Sequence, residues 1–197
     1  MIKRSFDLFF SLLGIIVLSP ILLLIYIIIK INSKGPAIFV QKRVGLKGVD
    51  IGVYKFRTMV VNAESLGPKI TVGVDSRITS VGHFLRRYKL DELAQLFNVL
   101  NGSMSFVGPR PEVREYINCY HEDIRDKVLS VRPGITDFAS IEFKDENELL
   151  SHSNDPQKTY VEDILPIKQK YYLKYIEQKS FLVDLKLILK TIYIIFK

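Results

Sequence analysis

From Leu8 to Ile29 the chain runs 22 residues without a charged side chain. At roughly 1.5 Å per residue a helix of that length reaches across a hydrocarbon core, so any fold must bring this segment to a bilayer. A cleaved leader has a shorter apolar core and a small-residue cleavage site, whereas this run ends Tyr26-Ile27-Ile28-Ile29-Lys30 and is expected to stay on the mature chain. Ser19-Pro20 lies in its middle. Proline removes a backbone donor and crowds the carbonyl four residues back, which breaks or bends a helix. Two readings compete, a kinked span and a hairpin that re-enters the face it came from. Basic residues flank both ends, with Lys3 and Arg4 before the run and Lys30, Lys34, Lys42 and Arg43 after it. That lack of asymmetry favours re-entry. Asp7 at the water boundary either pairs with a basic neighbour or stands as an exposed charge.

The far end of the sequence repeats the apolar and basic theme. Between Phe181 and Lys197, Lys186, Lys190, Tyr193 and Lys197 fall on one narrow helical stripe among Leu, Ile, Val and Phe, the profile of a helix lying in the headgroup layer. Ile164 to Ile176, with Lys168, Lys170 and Lys174 among Tyr171, Tyr172 and Tyr175, is expected to lie on the same surface. Lys and Arg number 28 against 21 Asp and Glu, a net charge of +7. A single cysteine, Cys119, and three histidines without metal-ligand spacing exclude a disulfide scaffold, structural zinc and iron–sulfur ligation, and point to a reducing compartment.

The polar middle is punctuated by breakers. Ala37 to Val40 and Ile51 to Phe56, around Gly45-Leu46-Lys47-Gly48, predict a small β-hairpin. Glu64 to Ser80, with Gly67-Pro68 and Gly73, predicts a loop. Helices are expected over Val81–Lys89, Leu90–Leu100 and Glu112–Leu129, stopped by Gly108-Pro109-Arg110-Pro111 and Arg132-Pro133-Gly134, because proline ends a helix. The Leu90–Phe106 stretch has the outline of a helix-turn-helix, but Gly108-Pro109-Arg110-Pro111 cuts off a recognition helix, so nucleic acid is not an expected partner.

Two adjacent acids, Asp91 and Glu92, follow Arg86-Arg87-Tyr88-Lys89-Leu90 at a predicted helix start. On a helix they diverge by about 100° and cannot share a proton as a facing dyad does. The helix dipole and nearby arginines should hold the Asp91 carboxyl low and ionised, fit to attack an electrophilic phosphorus. The same acids also serve a purely structural role, complementing the dipole and pairing with arginine. Further cations stand in short motifs: Lys55-Phe56-Arg57-Thr58-Met59, Arg77, Arg86, Arg87, Arg110 between prolines, and Arg132. The planar guanidinium fork suits a diphosphate, and it equally suits helix caps and ion pairs.

Lys3-Arg4-x-x-Asp7, Ser19-Pro20, Lys55-Phe56-Arg57-Thr58-Met59, Leu90-Asp91-Glu92-Leu93-x-Gln95-Leu96-x-Asn98-Val99-Leu100, Ser105-x-Val107-Gly108-Pro109-Arg110-Pro111 and Arg132-Pro133-Gly134-Ile135-Thr136 occur in this order. The series resembles the bacterial sugar transferase family of small monotopic phosphoglycosyl transferases, over nearly the whole chain. The resemblance implies transfer of a phosphosugar from a UDP-sugar to a membrane polyprenol phosphate such as undecaprenyl phosphate. UMP would be released and a polyprenol-diphosphate-linked sugar formed, the first membrane step of polysaccharide or glycoconjugate assembly. It further implies that Asp91 is the nucleophile of a covalent aspartyl-phosphosugar intermediate and touches a magnesium cofactor. Glu92 would be the partner acid, Arg57, Arg86 and Arg110 phosphate contacts, Lys55 and Arg132 further substrate contacts, and Ser19 and Pro20 the membrane break.

The expected fold is therefore α+β and mostly helical. Residues 1–33 would form a re-entrant membrane hairpin of helix, break and helix. Residues 34–197 would form a catalytic domain on the cytoplasmic leaflet of the bacterial inner membrane, with interfacial amphipathic helices and a small β-hairpin. A homodimer is compatible with this arrangement. The chain is expected to be the minimal catalytic form, without the extra membrane segments and added domain of larger relatives. After Arg132-Pro133-Gly134-Ile135-Thr136 the run Asp137-Phe138-Ala139-Ser140-Ile141-Glu142-Phe143-Lys144 departs from the family pattern, and is expected to bear on which sugar is taken rather than on the reaction. A catalytically silent membrane scaffold of the same fold is the rival reading.

Overall fold

The structure is a computed structural model that describes residues 2–67, 73 and 75–195. Pro68 of the expected loop and Lys197 of the carboxy-terminal stripe lie outside the described residues. The chain forms two compact units, Met1–Gln41 with Gly52–Gly102, and Lys42–Ile51 with Ser103–Lys197.

In the first unit, α1 runs from Ile2 to Asn32 with Pro20 inside it. Helical backbone runs on through Ser19-Pro20, so the segment is one helix with proline inside it rather than two separate helices. Pro20 cannot donate to the Ile16 carbonyl, but the Ser19 hydroxyl donates to that same oxygen at 2.8 Å. The orphaned acceptor is thus satisfied locally, in the manner that lets a helix bend at a proline without ending. Phe9, Ile16, Val17 and Leu23 are all about 60% exposed, and the helix is long and apolar enough to cross a membrane.

One stripe of α1 faces protein. Leu22, Ile25 and Ile29 share a core with Ala37, Phe56, Leu85 and Ala94. Nearer the start of α1, Asp7 and Ser11 are buried at 2% and 0% exposure, so Asp7 is not the exposed charge of one sequence reading. The Arg4 guanidinium donates to the carbonyls of Val99 at 2.6 Å and Leu100 at 3.0 Å. These are among the last carbonyls of α3 (Leu96–Asn101), where Val99 O also accepts from Gly102 N at 3.2 Å.

The expected hairpin forms from β1 (Ile38–Val44) and β2 (Asp50–Phe56). Next comes α2 (Ser80–Arg87), capped by Thr79, whose hydroxyl accepts from Gly82 N at 3.0 Å. The single helix expected over Leu90–Leu100 is instead a 3-10 turn, Leu90–Gln95, continued by α3. Asn98 on α3 fastens this segment to β2. Its Nδ2 donates to Gly52 O at 2.7 Å and its Oδ1 accepts from Tyr54 N at 2.8 Å, as a neighbouring strand would.

The second unit centres on two short parallel strands, β3 (Ser105–Val107) and β4 (Gly134–Thr136), with Ser105 opposite Gly134 and Val107 opposite Thr136. The glycines that follow and open them are required by this pairing. A Cβ on Gly134 would lie 2.1 Å from Gly108 N, and one on Gly108 would lie 2.3 Å from Arg132 O. The Gly-Pro-Arg-Pro and Arg-Pro-Gly motifs are therefore neighbours in space.

The helix expected over Glu112–Leu129 is two, α4 (Arg114–Ile117) and α5 (Glu122–Val128). After α6 (Phe138–Glu142), α7 (Glu146–Ser151) and α8 (Pro156–Thr159), a π-helical turn at Tyr160–Ile164 leads into α9 (Leu165–Gln178) and then α10 (Phe181–Ile195). The expectation that Ile164–Ile176 turns its lysines and tyrosines to the membrane surface is corrected for Lys168, Tyr172 and Tyr175. Tyr172 and Tyr175 are 0% and 2% exposed, and Tyr175 packs with Val107, Ile141 and Leu187, so that face of α9 is packed against protein while Ile167, Lys170 and Lys174 stay exposed.

Lys168 is buried as well, a charge that persists only with partners. It pairs with Glu146, and its Nζ lies 3.3 Å from the Tyr160 hydroxyl, which donates to Glu112 Oε1 at 2.8 Å. On α10 the outcome differs. Asp184 and Leu187 are buried while Leu182, Leu189, Ile192 and Tyr193 are exposed, along with Lys186 and Lys190.

Candidate active site

Within the first unit, four of the residues singled out from sequence converge. Asp91 and Glu92 sit in the first turn of the Leu90–Gln95 helix, where a 3-10 twist separates neighbours by about 120°. Asp91 goes inward, 8% exposed, and its Oδ1 is buried without a hydrogen-bond partner. Glu92 meets Lys55 of β2, Nζ to Oε1 at 3.5 Å. Arg86, on the last turn of α2, donates from Nε to Thr58 Oγ1 at 2.8 Å.

The electrostatics differ from the sequence expectation in sign. Burial pushes the Asp91 carboxyl above its ordinary value and the Glu92 charge adds to the rise, while Lys55, Arg86 and Lys89 oppose it. Dipole and arginines do not win, because desolvation of a carboxylate outweighs cations that are themselves partly solvated or engaged elsewhere. Burial likewise lowers the Arg86 guanidinium from its usual value, against the pull of Asp91. It still carries its charge at any ordinary pH. A buried, unpartnered carboxylate oxygen ringed by cations is a poor structural element and a good acceptor for something that is not protein.

Each residue of Lys55-Phe56-Arg57-Thr58-Met59 has a task. Lys55 reaches Glu92, Phe56 enters the core at 4% exposure, and Met59 pairs with Ile78 in an isolated antiparallel bridge. Arg57, 6% exposed, donates to Lys34 O at 2.8 Å, Ser33 O at 2.9 Å and Ser33 Oγ at 2.7 Å. The chain leaving α1 thus holds the guanidinium of the expected phosphate contact.

Thr58, to which sequence reasoning gave no role, is the pivot. Its carbonyl accepts from Thr79 N at 2.9 Å, and a Cβ on Gly82 would come within 2.0 Å of that oxygen. Its hydroxyl holds Arg86. Asn98 was also missed. Both stand inside motifs, which is the one signal that marked them. Nearby, Arg77 makes a bidentate pair with Asp75, Nε to Oδ1 at 2.9 Å and Nη2 to Oδ2 at 2.6 Å, and this holds the Asp75 carboxyl below its usual value.

Arg110 and Arg132 belong to the second unit. Arg110 N donates to Asp137 Oδ2 at 3.0 Å, and Asp137 Oδ1 caps α6 by accepting from Ser140 N at 2.6 Å. Asp137 is fully buried and its carboxyl is pushed up by that burial, partly offset by these hydrogen bonds and by Arg110. The first residue of the segment that departs from the family pattern is therefore a brace for the Gly-Pro-Arg-Pro turn.

Among the described residues no group of three His, Cys, Asp or Glu side chains is placed to hold a metal ion. Magnesium bound together with a substrate's phosphates needs only one or two carboxylates and keeps much of its water. The unpartnered Asp91 Oδ1 fits that requirement.

The family profile described as Bacterial sugar transferase matches residues 1–197. Over 193 residues the chain is 35% identical to a UDP-N-acetylgalactosamine-undecaprenyl-phosphate N-acetylgalactosaminephosphotransferase of Aeromonas hydrophila, covering 97% of this chain and 43% of that protein. Over 194 residues it is 40% identical to a UDP-glucose:undecaprenyl-phosphate glucose-1-phosphate transferase of Klebsiella pneumoniae, covering 97% and 39%. Over 196 residues it is 37% identical to an undecaprenyl-phosphate glucose phosphotransferase of Komagataeibacter xylinus, covering 96% and 35%. The chain thus spans less than half the length of these relatives.

Proposed function

Because the chain belongs to the bacterial sugar transferase family, we propose that it moves a phosphosugar from a UDP-sugar to undecaprenyl phosphate and releases UMP. The observation that carries this reading is the buried Asp91 carboxylate, one oxygen unpartnered, with Lys55, Arg86 and Lys89 acting on it. Asp91 attacks the sugar-bearing phosphorus of the donor. The new bond is from carboxylate oxygen to phosphorus, and the bond that breaks is the one to UMP, which leaves with its electron pair. A phosphate oxygen of undecaprenyl phosphate then attacks the same phosphorus and restores the free carboxylate. Glu92 takes the acceptor's proton when the phosphate arrives protonated.

Arg86, held by Thr58, faces developing phosphate charge without reorganising. Lys55 and Arg57 keep Glu92 and the end of α1 in place, and Arg110 and Arg132 are further candidates for phosphate contact. Magnesium at Asp91, when bound, neutralises diphosphate charge and sharpens phosphorus as an electrophile.

The test is UMP release from UDP-glucose and UDP-N-acetylgalactosamine by detergent-solubilised protein with magnesium. The expected result is a burst of about one UMP per chain without acceptor, and steady turnover once undecaprenyl phosphate is added. Turnover without a burst would replace the two-step route by direct transfer, and absence of both would overturn the reading.

The membrane arrangement proposed with it is re-entrant, both ends of α1 on the cytoplasmic face, with α10 in the headgroup layer. What supports re-entry is that Arg4 hydrogen-bonds α3 carbonyls in the same unit whose core takes up Ile25 and Ile29. A crossing helix would put those two ends on opposite sides of the bilayer. With Cys119→Ser as background, Ile2→Cys and Lys34→Cys should both resist an impermeant maleimide in intact spheroplasts and react after lysis. Labelling of Ile2→Cys alone in intact cells would establish a span, and labelling of both would place the protein on the other face.

A further inference from the structure

Lys89 stands between α2 and the turn that carries Asp91, and its backbone is at φ 54° and ψ 21°. That left-handed region costs a residue with a Cβ and costs glycine nothing. The backbone alone closes the turn, Lys89 N donating to Arg86 O at 3.2 Å and Lys89 O accepting from Glu92 N at 3.2 Å. Nothing in the turn asks for a long side chain. The position nonetheless holds a lysine that is exposed.

The two other cations that act on Asp91 have protein partners, Lys55 with Glu92 and Arg86 with Thr58. Among the described residues the Lys89 ammonium makes no ion pair. Lys47 shares the left-handed backbone in the hairpin turn, so what sets Lys89 apart is its place, an uncommitted cation in the turn that carries a buried carboxylate two residues on. We propose that Lys89 is a substrate contact, its ammonium taking hold of a phosphate group beside Asp91. The inference rests on the phosphosugar-transfer reading and names a residue in that same site.

In support, the Lys89 charge acts on the Asp91 carboxyl in the sense opposite to burial, so the ammonium is within electrostatic reach of the site. The phosphate is either the donor's diphosphate or the acceptor's monophosphate. Both present the oxygens an ammonium recognises, and a flexible stem lets the charge reach them.

The experiment compares wild type with Lys89→Gly, Lys89→Gln and Lys89→Arg. Glycine accepts the left-handed turn, so Lys89→Gly should melt at or above the wild-type temperature while losing function. Loss of a charge-assisted contact should weaken one phosphate substrate by about tenfold or more in Lys89→Gly and Lys89→Gln, with Lys89→Arg within about threefold of wild type. A rise confined to the donor concentration that gives half the burst assigns the diphosphate, and a rise confined to the KM for undecaprenyl phosphate assigns the acceptor.

The wild-type kcat/KM should also fall more steeply with added salt than that of Lys89→Gly, because an exposed charge is screened. Unchanged kinetics and salt dependence in Lys89→Gly would overturn the proposal. If wild type releases no UMP, the reading of function fails by itself. Binding of UDP and of undecaprenyl phosphate, measured calorimetrically in wild type and Lys89→Gly, then decides Lys89, equal affinities overturning its role and a weaker one sustaining it.

Discussion

Replacing Asp91 by asparagine is expected to abolish both burst and turnover of UMP, by at least about 10⁴-fold, while leaving the fold as stable as before or more so. The first part follows from removing the nucleophile, since loss of a covalent catalytic group is not shared out among its neighbours. The second follows from linkage. The folded-state carboxyl titrates above the ordinary value of 3.8 because of burial first and Glu92 second, so the native state binds that proton more tightly than the unfolded chain. Stability from this group is therefore fully present below 3.8 and is lost as pH rises through the folded-state value.

At neutral pH the ionised Asp91 opposes folding, and asparagine relieves it. Thermal melts of the two proteins at pH 7 and at pH 4 check this, with the gain expected at pH 7. An Asp91→Asn protein that still shows the burst would remove Asp91 from the mechanism. One that melts well below wild type at pH 7 would mean the carboxylate is structural.

Gly82→Ala should damage stability and catalysis together. A Cβ there would fall 2.0 Å from the Thr58 carbonyl oxygen and 2.8 Å from its carbon, atoms of backbone that cannot step aside. Relieving the overlap means moving α2 away from Thr58, at a cost of about 3 kcal/mol for a rigidly packed contact. The melting temperature in detergent should drop by roughly 6–12 °C. Because α2 also carries Arg86, the move pulls Nε from its 2.8 Å bond to Thr58 Oγ1, and kcat/KM should fall by about 100-fold from misplacement alone.

Gly14→Ala is the control. There the added carbon meets Leu96 Cδ1 at 3.5 Å, an ordinary contact, and both readouts should stay near wild type. Equal damage from the two substitutions would show that general helix disturbance, and not the Thr58 contact, is responsible.

The residues of the site were largely legible in the chain, and their chemistry less so. Asp91, Glu92, Lys55 and Arg86 stand out as acids and cations in short motifs, and they do converge. Arg57 belongs to the same motifs, but its guanidinium closes on Ser33 and Lys34 some 24 residues earlier, a pairing no local pattern announces. Thr58 and Asn98 are small polar residues that look interchangeable in sequence. Their importance lies in bonds to Arg86 and to the edge of β2, 28 and 46 residues away. The α9 segment misled for a related reason. Lysine and tyrosine at helical spacing suit a membrane surface and suit a buried network equally, and only partners such as Glu146 and Glu112 distinguish the two.

What the sequence determined by itself is what depends on neighbours along the chain. The uncharged run from Leu8 to Ile29, the hairpin around Gly45 and Gly48, and the stops at Gly108-Pro109 and Arg132-Pro133-Gly134 follow from hydropathy, turn preference and the missing proline donor. Tertiary structure decided the rest. It set Gly108, just after β3, in backbone contact with Gly134 of β4, and it reversed the sign of the Asp91 shift. Desolvation is the reason for that reversal. How far a carboxyl is removed from water, and which donor then reaches it, depends on everything packed around it, and no segment of chain carries that information alone.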